Sequence, residues 1–415
     1  MQELIDKGRQ ARDASAALQK AISSQKDQVL RIAADELLNN KAGIIRENQK
    51  DLENARKNGL KGAIIDRLTL NEERIEGIAD GLLKIVQLED PIGEVVSMNR
   101  RPNGLTIGKK RVPIGVIGMI YEARPNVTVD VFGLCIKTGN AVILRGGKEA
   151  YNSNNVLVSI LRDALAEAGL PEDAVQLVQD TSRESAVALM KLNEYLDLLI
   201  PRGGGGLIQT VVMNSTVPVI ETGVGNCHVY VDVWADPVKA VDIVFNSKTH
   251  RVGVCNAAES MVIHSEVLAQ LLPSISEKLH TENVEIRGDE RVCKLIDYAV
   301  KASEEDWGAE YLDYIISVKT VDSLEEAIAH INTYGTRHSE AIVTENYSHA
   351  QKFLEEIDAA AVYVNASTRF TDGFEYGFGA EIGISTQKLH ARGPMGLKEL
   401  TTTKYVVYGN GQVRG

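Results

Sequence analysis

The chain has 415 residues, a formal net charge of −12 at pH 7 and a hydrophobic fraction of 44%, which are values of an ordinary globular protein. A chain of this length is expected to form about two or three domains that need no disulfide or structural metal. Because binding to nucleic acid or to an anionic membrane requires a basic protein surface, the acidic balance argues against both. The positive charges that an anionic substrate needs must therefore be local.

No segment of the sequence is expected to enter a membrane. The longest apolar run, residues 112–121, contains a proline and two glycines and is far shorter than the roughly twenty residues of a membrane-spanning helix. The first residues carry charges of both signs and lack the basic start and apolar core of a secretory signal. We therefore expect a cytoplasmic protein.

The opening section is predicted to be helical, and a hairpin follows it. Apolar residues recur at helical spacing up to about residue 90, and Thr69 and Glu72 form a capping-box pattern ahead of a helix that ends at Pro91. Residues 95–100 and 105–110 flank an Asn-Gly turn, which predicts an antiparallel hairpin. Residues 404–408 predict a C-terminal strand. Because an isolated hairpin is marginal in water, we expect these strands to pair with others, including those of a second subunit.

Two sections between these elements predict α/β domains. Short apolar runs alternate with amphipathic segments from residue 114 to 221, as in a doubly wound parallel sheet. A second alternating section follows, in which Asp236 and Pro237 begin a helix. The predicted strands of the two sections are residues 114–120, 141–144, 175–178, 196–200, 217–220, 261–263, 314–318, 341–344 and 361–364.

Two glycine-containing loops follow predicted parallel strands, where open α/β sheets bind ligands. One contains Arg145, two glycines and Lys148, and the other contains Arg202, Gly203 and Gly204. Glycines allow backbone amides to approach a phosphate, and the cations add charge. We interpret the loops as a nucleotide site in which Arg145 and Lys148 suit the 2′-phosphate of NADP. Such turns are also common for geometric reasons alone, and neither loop matches G-x-G-x-x-G or the Walker A pattern.

The four cysteines, at positions 135, 227, 255 and 293, show no C-x-x-C pair and no histidine at metal-ligand spacing. We therefore predict neither a zinc site nor a disulfide framework. Cys255 follows His250 and Arg251 in a loop between a helix and a strand, and adjacent cations lower a thiol pKa, so it is the best candidate nucleophile. Cys135 is predicted to lie in the core, Cys227 could line a pocket, and a buried inert thiol remains the alternative for each.

A nucleotide-type α/β half followed by Glu-Thr-Gly-x-Gly-Asn, Cys255, Glu310 and residues 362–365 resembles, in this order, the aldehyde dehydrogenase superfamily. Three segments carry a narrower resemblance within it. They are residues 221–228, with the sequence Glu-Thr-Gly-Val-Gly-Asn-Cys-His, and residues 321–340 and 390–397. The resemblance implies an aldehyde dehydrogenase-like α/β fold with three parts. An NADP-binding domain with a helical start would comprise residues 1–93 and 112–228, a catalytic α/β domain residues 229–395, and a small β oligomerisation element residues 94–111 and 396–415.

Within that superfamily the segments are most similar to the acyl phosphate reductases. This implies an NADPH-dependent oxidoreductase that reduces L-glutamyl 5-phosphate to L-glutamate 5-semialdehyde through a cysteine thioester and releases phosphate, for proline biosynthesis. The hairpin and the C-terminal strand predict a homo-oligomer, and the pathway implied by the resemblance offers the preceding glutamate 5-kinase as a candidate partner. The alternatives are an aldehyde-oxidising or CoA-acylating dehydrogenase, and a catalytically silent nucleotide-binding partner of that kinase.

The resemblance also implies residue roles. Cys255 would accept the acyl group, Asn126 would help to form the oxyanion hole, and Glu310 would hold the nicotinamide ribose. By sequence alone, Asn126 could equally be a turn residue after proline and Glu310 a solvated charge. Glu221 matches the glutamate that activates water in hydrolytic relatives, but a reductase must keep water from its thioester, so here it is expected to orient groups or support the structure.

The substrate phosphate and α-carboxylate require cations near the thiol. The candidates for this contact are His250, Arg251, Arg337, His338 and Arg369. The sequence does not choose among them, since each could also belong to a surface ion pair.

Overall fold

The chain is described by a computed structural model that covers residues 1–60 and 62–414. These residues form two compact units. The first comprises Met1–Glu221, Gly377–Gly383 and the stretch from Met395 onward, and the second comprises Thr222–Tyr376 and Ile384–Pro394. The chain passes from the first unit to the second directly after Glu221, earlier than the predicted boundary after residue 228.

Helices and strands make up most of the described chain. In chain order, the α-helices are α1 (Gln2–Leu18), α2 (Ser23–Asn39), α3 (Lys41–Lys57), α4 (Ala63–Leu68), α5 (Glu72–Gln87), α6 (Asn126–Lys137), α7 (Tyr151–Glu167), α8 (Arg183–Met190), α9 (Gly205–Asn214), α10 (Pro237–Thr249), α11 (Ser265–His280), α12 (Glu290–Cys293), α13 (Leu324–Tyr334) and α14 (Tyr347–Glu356). The strands are β1 (Val95–Arg100), β2 (Thr106–Pro113), β3 (Val116–Tyr121), β4 (Ala141–Gly146), β5 (Val175–Leu177), β6 (Leu198–Arg202), β7 (Cys227–Val231), β8 (Ala258–His264), β9 (Glu285–Gly288), β10 (Val300–Lys301), β11 (Ile315–Val321), β12 (Ser339–Val343), β13 (Ala361–Val364), β14 (Ile384–Ser385), β15 (Gly393–Pro394) and β16 (Thr401–Tyr408).

The first unit contains the predicted helical opening and a parallel sheet. α5 is capped by Asn71, whose side chain accepts a hydrogen bond from the Arg74 N–H. The sheet has the strand order β5-β4-β3-β6. The strand predicted at residues 217–220 is wrong, because this segment makes only an isolated bridge between Val219 and Leu199. Pro218 within it has no N–H to continue a ladder.

The predicted hairpin and C-terminal strand form a separate antiparallel sheet of the first unit, with the order β1-β2-β16. β2 lies in the middle and pairs with both of the other strands. Several apolar side chains of this sheet are exposed, among them Val95, Val96 and Met98 of β1 and Tyr405 and Val407 of β16. In the part of the chain that the structure describes, no helix has the length and apolarity that a membrane span requires.

The second unit is built on a parallel sheet with the order β10-β9-β11-β8-β7-β12-β13. Buried apolar residues pack on this sheet in two clusters, one against α10 and α11 and the other against α13 and α14. Because neighbouring strands run in the same direction, the segments that precede β7, β8, β11 and β12 meet at one edge. This edge carries the candidate nucleophile.

Candidate active site

Cys255 lies in the cysteine loop, residues 250–257, which joins α10 to β8. Its side chain is half-buried, whereas His250 and Arg251 lie at the more exposed start of the loop. The end of the loop is held from a second segment, because Thr368 Oγ1 donates to the carbonyl of Asn256 at 2.7 Å. The Asn256 amide in turn donates to the carbonyl of Thr371 at 2.9 Å. The loop thus presents a thiol that is accessible but fixed at its base.

The segment before β7 lies directly against the cysteine loop. A Cβ at Gly225 would lie 1.5 Å from the carbonyl oxygen of Cys255, so only glycine allows this approach. The N–H of Gly225 donates to Glu310 Oε1 at 2.6 Å. Glu310, which the family resemblance assigns to a ribose, therefore uses one carboxylate oxygen to hold this backbone.

The other cysteines are placed as structural thiols. Cys227 is fully buried, and its Sγ lies 3.1 Å from the carbonyl oxygen of Cys255. Burial raises the pKa of the Cys227 thiol, so it stays protonated and can donate this hydrogen bond. Cys135 is fully buried in α6, as predicted, and burial raises its pKa as well. The half-buried Cys293 lies near backbone carbonyls beside α12.

The candidate substrate cations fall into two groups. Burial first and then the charge of Arg251 lower the pKa of the Arg369 guanidinium, while Asp372 and Cys255 oppose the shift. The Nε of Arg369 is buried without a hydrogen-bond partner among the described residues. Arg337 is exposed and pairs with Asp358 at 3.6 Å. These contacts favour Arg251 and Arg369 as the anion-binding pair.

His338, another of the candidate cations, is buried, and its Nδ1 faces groups of the protein. Its Nδ1 lies 2.8 Å from Ser339 Oγ and 3.7 Å from Cys227 Sγ. Ser339 Oγ lies 2.6 Å from Thr371 Oγ1. His338 therefore belongs to the packing around the cysteine loop.

A buried ion pair connects the ends of the cysteine loop. Lys248 Nζ donates to Glu259 Oε2 at 2.6 Å, and both side chains are fully buried. Burial raises the pKa of Glu259 to about 7, although Lys248 acts in the opposite direction. The other oxygen of Glu259 accepts from the N–H of Leu312 at 3.1 Å, near Glu310 in the chain. No sequence pattern indicated this pair, because its members lie on either side of the loop.

In the first unit, the predicted cofactor residues at the end of β4 differ in availability. Arg145 Nη2 donates to the carbonyls of Thr181 and Ser182 at 2.6 and 2.7 Å. Its Nε is buried without a hydrogen-bond partner in the described part of the chain. Lys148 is exposed at the start of a short 3₁₀ helix. Lys148 is thus the more accessible of the two cations.

The second glycine-containing loop is occupied by a carboxylate of the protein. Glu122 Oε2 accepts from the N–H of Gly204, the residue before α9, at 2.9 Å. A Cβ at Gly203 would lie 2.7 Å from the same oxygen. The loop that we predicted to bind phosphate therefore already binds an internal anion. Sequence reasoning missed Glu122 because it follows a different strand, β3.

Asn126 is the first residue of α6, and Asp130 lies one helical turn further on. Asn126 Nδ2 donates to Asp130 Oδ2 at 3.0 Å. Burial raises the pKa of Asp130 to about 6, against the effects of the Asn126 hydrogen bond and of Arg202 at the end of β6. Asp130 was not predicted, although the i, i+4 spacing is a signal that could have identified it. Glu221 is half-buried and ends the long first segment of the first unit.

Comparison with known proteins identifies the family. Over residues 5–293 and 298–406 the sequence matches the model of the aldehyde dehydrogenase family, and the chain belongs to this family. The predicted aldehyde dehydrogenase-like α/β fold is therefore confirmed.

Several relatives of high sequence identity carry a more specific name. The chain is 61% identical over 414 residues to the γ-glutamyl phosphate reductase of Clostridium botulinum strain Eklund 17B, and each chain is covered completely. It is 60% identical over 418 residues to that of Caldicellulosiruptor bescii, again with 100% of both covered. The crystal structure of the Thermotoga maritima γ-glutamyl phosphate reductase superposes with a TM-score of 0.97 at 50% identity and 100% coverage of both chains.

Proposed function

We propose that the chain catalyses the NADPH-dependent reduction of L-glutamyl 5-phosphate to L-glutamate 5-semialdehyde, with release of phosphate, as a step of proline biosynthesis. The observation that carries this proposal is the half-buried Cys255 beside two guanidinium groups, since the charges of both Arg251 and Cys255 act on the pKa of Arg369. Such a pair suits an acyl phosphate, which carries its charge on the leaving group. The chain is 60–61% identical, over its full length, to relatives named γ-glutamyl phosphate reductase, and this supports the same substrate.

In the proposed mechanism, the Cys255 thiolate attacks the γ-carbonyl carbon of the substrate. The amide of Asn126 and the backbone N–H of Cys255 stabilise the oxyanion that forms, and phosphate leaves with its bonding electrons. The product of this step is a thioester on Cys255. The nicotinamide cofactor supplies, when bound, the hydride that reduces the thioester, after which the thiohemiacetal releases the aldehyde and restores the thiolate.

The residues at the end of β4 fit an anionic cofactor. Lys148 is exposed there, and the Nε of Arg145, which has no hydrogen-bond partner among the described residues, is a donor that a phosphate oxygen could accept from. We therefore propose NADP rather than NAD, with Arg145, Lys148 and Arg202 as its cations and Glu310 at the ribose. Glu221 is proposed to orient groups and not to activate water, because hydrolysis of the thioester would defeat the reduction.

The β1-β2-β16 sheet supports a homo-oligomer. Val95, Val96, Tyr405 and Val407 are each at least half exposed, and an exposed apolar sheet with free edges favours pairing with another copy. We propose assembly through this sheet and a cytoplasmic location. The association with glutamate 5-kinase stays a prediction from the family resemblance.

The test is a phosphate-dependent assay of NADP⁺ reduction with glutamate 5-semialdehyde. We expect turnover to require phosphate, and Cys255→Ala to lower kcat by at least about 10⁴-fold, as loss of a covalent nucleophile does. Cys293→Ser is the matched control and should keep the wild-type rate. Turnover without phosphate would favour an aldehyde-oxidising enzyme, and turnover that needs CoA an acylating one. A wild-type protein that binds NADPH but has no activity would favour the silent partner.

A further inference from the structure

The backbone around Asn126 is held firmly, so only the amide remains to be oriented. Thr128 Oγ1, in the same first turn of α6, lies 2.7 Å from the hydroxyl of Tyr121 at the end of β3. It also donates to Asn154 Oδ1 of α7 at 3.0 Å. These contacts fix the start of α6 to two other elements. What remains to be set is the orientation of the Asn126 side-chain amide.

That rotation decides which amide atom faces a reacting oxygen. An amide has two N–H donors on its nitrogen and an acceptor oxygen, and the two ends have nearly the same shape, so a hydrogen-bond partner must choose between them. An ionised carboxylate can only accept. Asp130 therefore keeps the nitrogen on its own side, at 3.0 Å. One N–H is used in this bond, and the amide nitrogen carries a second.

We propose that Asp130 is a positioning residue for the reaction, whose carboxylate orients the Asn126 amide so that an N–H and not the carbonyl oxygen meets the acyl oxyanion. The inference rests on the oxyanion role proposed above for Asn126. The reversed amide would place its oxygen against the Asp130 carboxylate and would present a partial negative charge to the developing oxyanion. Both of these contacts raise the electrostatic energy of the reversed amide, so the ionised carboxylate selects the productive orientation.

The charge state of Asp130 falls within the range of an ordinary assay. Burial raises its pKa to about 6, and the charged group that opposes this is Arg202 at the end of β6. From α2, Lys26 and Asp27 contact α6 at its other end, where they meet Lys137. Below its pKa the carboxyl can donate as well as accept, so it no longer selects one amide orientation. The rate should therefore fall as the pH decreases through this value.

The experiment compares kcat and KM for the semialdehyde in Asn126→Ala, Asp130→Ala, Asp130→Asn and the Asn126→Ala/Asp130→Ala double variant. Loss of one oxyanion donor lowers kcat by roughly 10²–10³, so we expect Asn126→Ala to fall in this range and Asp130→Ala to lose about tenfold in kcat with little change in KM. The double variant should be no slower than Asn126→Ala, because Asp130 acts through Asn126. Asp130→Asn, whose amide can donate as well as accept like the protonated carboxyl, should have a lowered kcat at every pH and should lack the step in rate near pH 6.

Each outcome decides the question. If Asn126→Ala keeps the wild-type kcat, the oxyanion role and this inference both fail. If Asn126→Ala is slow but Asp130→Ala is not, only the inference fails. If Asp130→Ala raises KM alone, or slows the Asn126→Ala enzyme further, Asp130 acts directly on substrate and the inference is overturned. Asp80→Ala, which removes an exposed carboxylate of α5 paired with Lys84, is the matched control. Asp130→Asn decides the result if Asp130→Ala does not fold.

Discussion

The strand-end loops of the first unit and the cysteine loop of the second differ in how far their charged and polar groups are already bound by other groups of the protein. In the first unit, a carboxylate of Glu122 takes the amide of Gly204, and Arg145 donates to two backbone carbonyls. In the second unit, the charge of one guanidinium group, Arg251, lowers the pKa of another, Arg369, which also feels the charge of Cys255. Positive charges that repel one another at a fixed distance favour an anion between or beside them.

This difference indicates where the binding energy of each ligand arises. A loop that already holds an internal anion must exchange it for a ligand phosphate, so the net gain is small. A pair of like charges is relieved when an anion binds, so the gain is larger. The cysteine loop is also rigid at its base, through Gly225 and the buried Lys248–Glu259 pair. We expect the largest effects from variants that loosen the base of the cysteine loop. We expect the smallest from variants that ease the replacement of the internal carboxylate by a ligand phosphate.

The largest effect is expected for Gly225→Ala. The added Cβ would lie 1.5 Å from the carbonyl oxygen of Cys255, so one of the two backbones must move by more than an ångström. Misplacement of a reacting group by about 1 Å costs on the order of 10²-fold in rate, and we expect at least this loss in kcat/KM. The measurement is steady-state kinetics, with thermal unfolding to confirm that the variant is folded.

Gly253→Ala in the same loop is the control for this variant. A Cβ at Gly253 meets no atom within 4 Å, so the rate should stay within about twofold of wild type, as for substitutions away from packed sites. Wild-type rates for both variants would mean that the segment before β7 does not support the cysteine loop. A loss in both would point to the flexibility of the loop itself.

The next effect is on stability, from Lys248→Met. Removal of one partner leaves the Glu259 carboxyl buried without its cation, which typically costs about 3–5 kcal/mol. The pKa of Glu259 is already raised to about 7 from an ordinary 4.5, and loss of Lys248 raises it further. A group with a raised folded-state pKa is stabilising below its unfolded pKa, and this contribution is lost as the pH rises through the folded value. Lys248→Met should therefore be least stable at pH 8 and recover toward pH 5.

Urea unfolding at both pH values measures this effect. The Lys248→Met/Glu259→Gln double variant removes both charges and should be more stable at pH 8 than Lys248→Met alone, with less dependence on pH. If Lys248→Met loses less than about 1 kcal/mol at pH 8, the pair is hydrated and does not fix the base of the loop.

The sequence predicted the elements better than the contacts between them. The strands β3, β4 and β6 were recognised as apolar runs, and the hairpin from its Asn-Gly turn, because these signals are local. The segment around Pro218 was wrongly predicted to be a strand, since an apolar run does not show that a residue within it lacks the N–H that a neighbouring strand would accept from. Glu122, Asp130 and Glu259 were missed for a different reason. Each acts through a hydrogen bond or ion pair, and composition does not show which polar side chains are buried together.

The family resemblance supplied what local patterns did not. It directed attention to Asn126 and Glu310, which alone read as a turn residue and a surface charge. The structure adds that Asn126 has Asp130 as a partner and that Glu310 holds the Gly225 N–H. These contacts depend on the fold of the chain around each residue, so a motif predicts the residue and not its neighbours.

The smallest effect is expected for Glu122→Gln. This variant tests whether a cofactor phosphate replaces the Glu122 carboxylate at the Gly204 N–H. Glu122→Gln keeps an oxygen that can accept from the Gly204 N–H but removes the negative charge before α9. A charge at a helix N-terminus is worth roughly 0.3–1 kcal/mol, so the Kd for NADPH should fall by about two- to fivefold, and more at low salt than at high salt. Glu172→Gln, which removes a carboxylate paired with Arg162 elsewhere in the unit, should leave the Kd unchanged. Fluorescence titration of NADPH measures both. An unchanged or weaker affinity in Glu122→Gln would mean that Glu122 is a permanent cap of α9 and that the cofactor phosphates bind elsewhere, with Lys148 at the end of β4 as the next position to test.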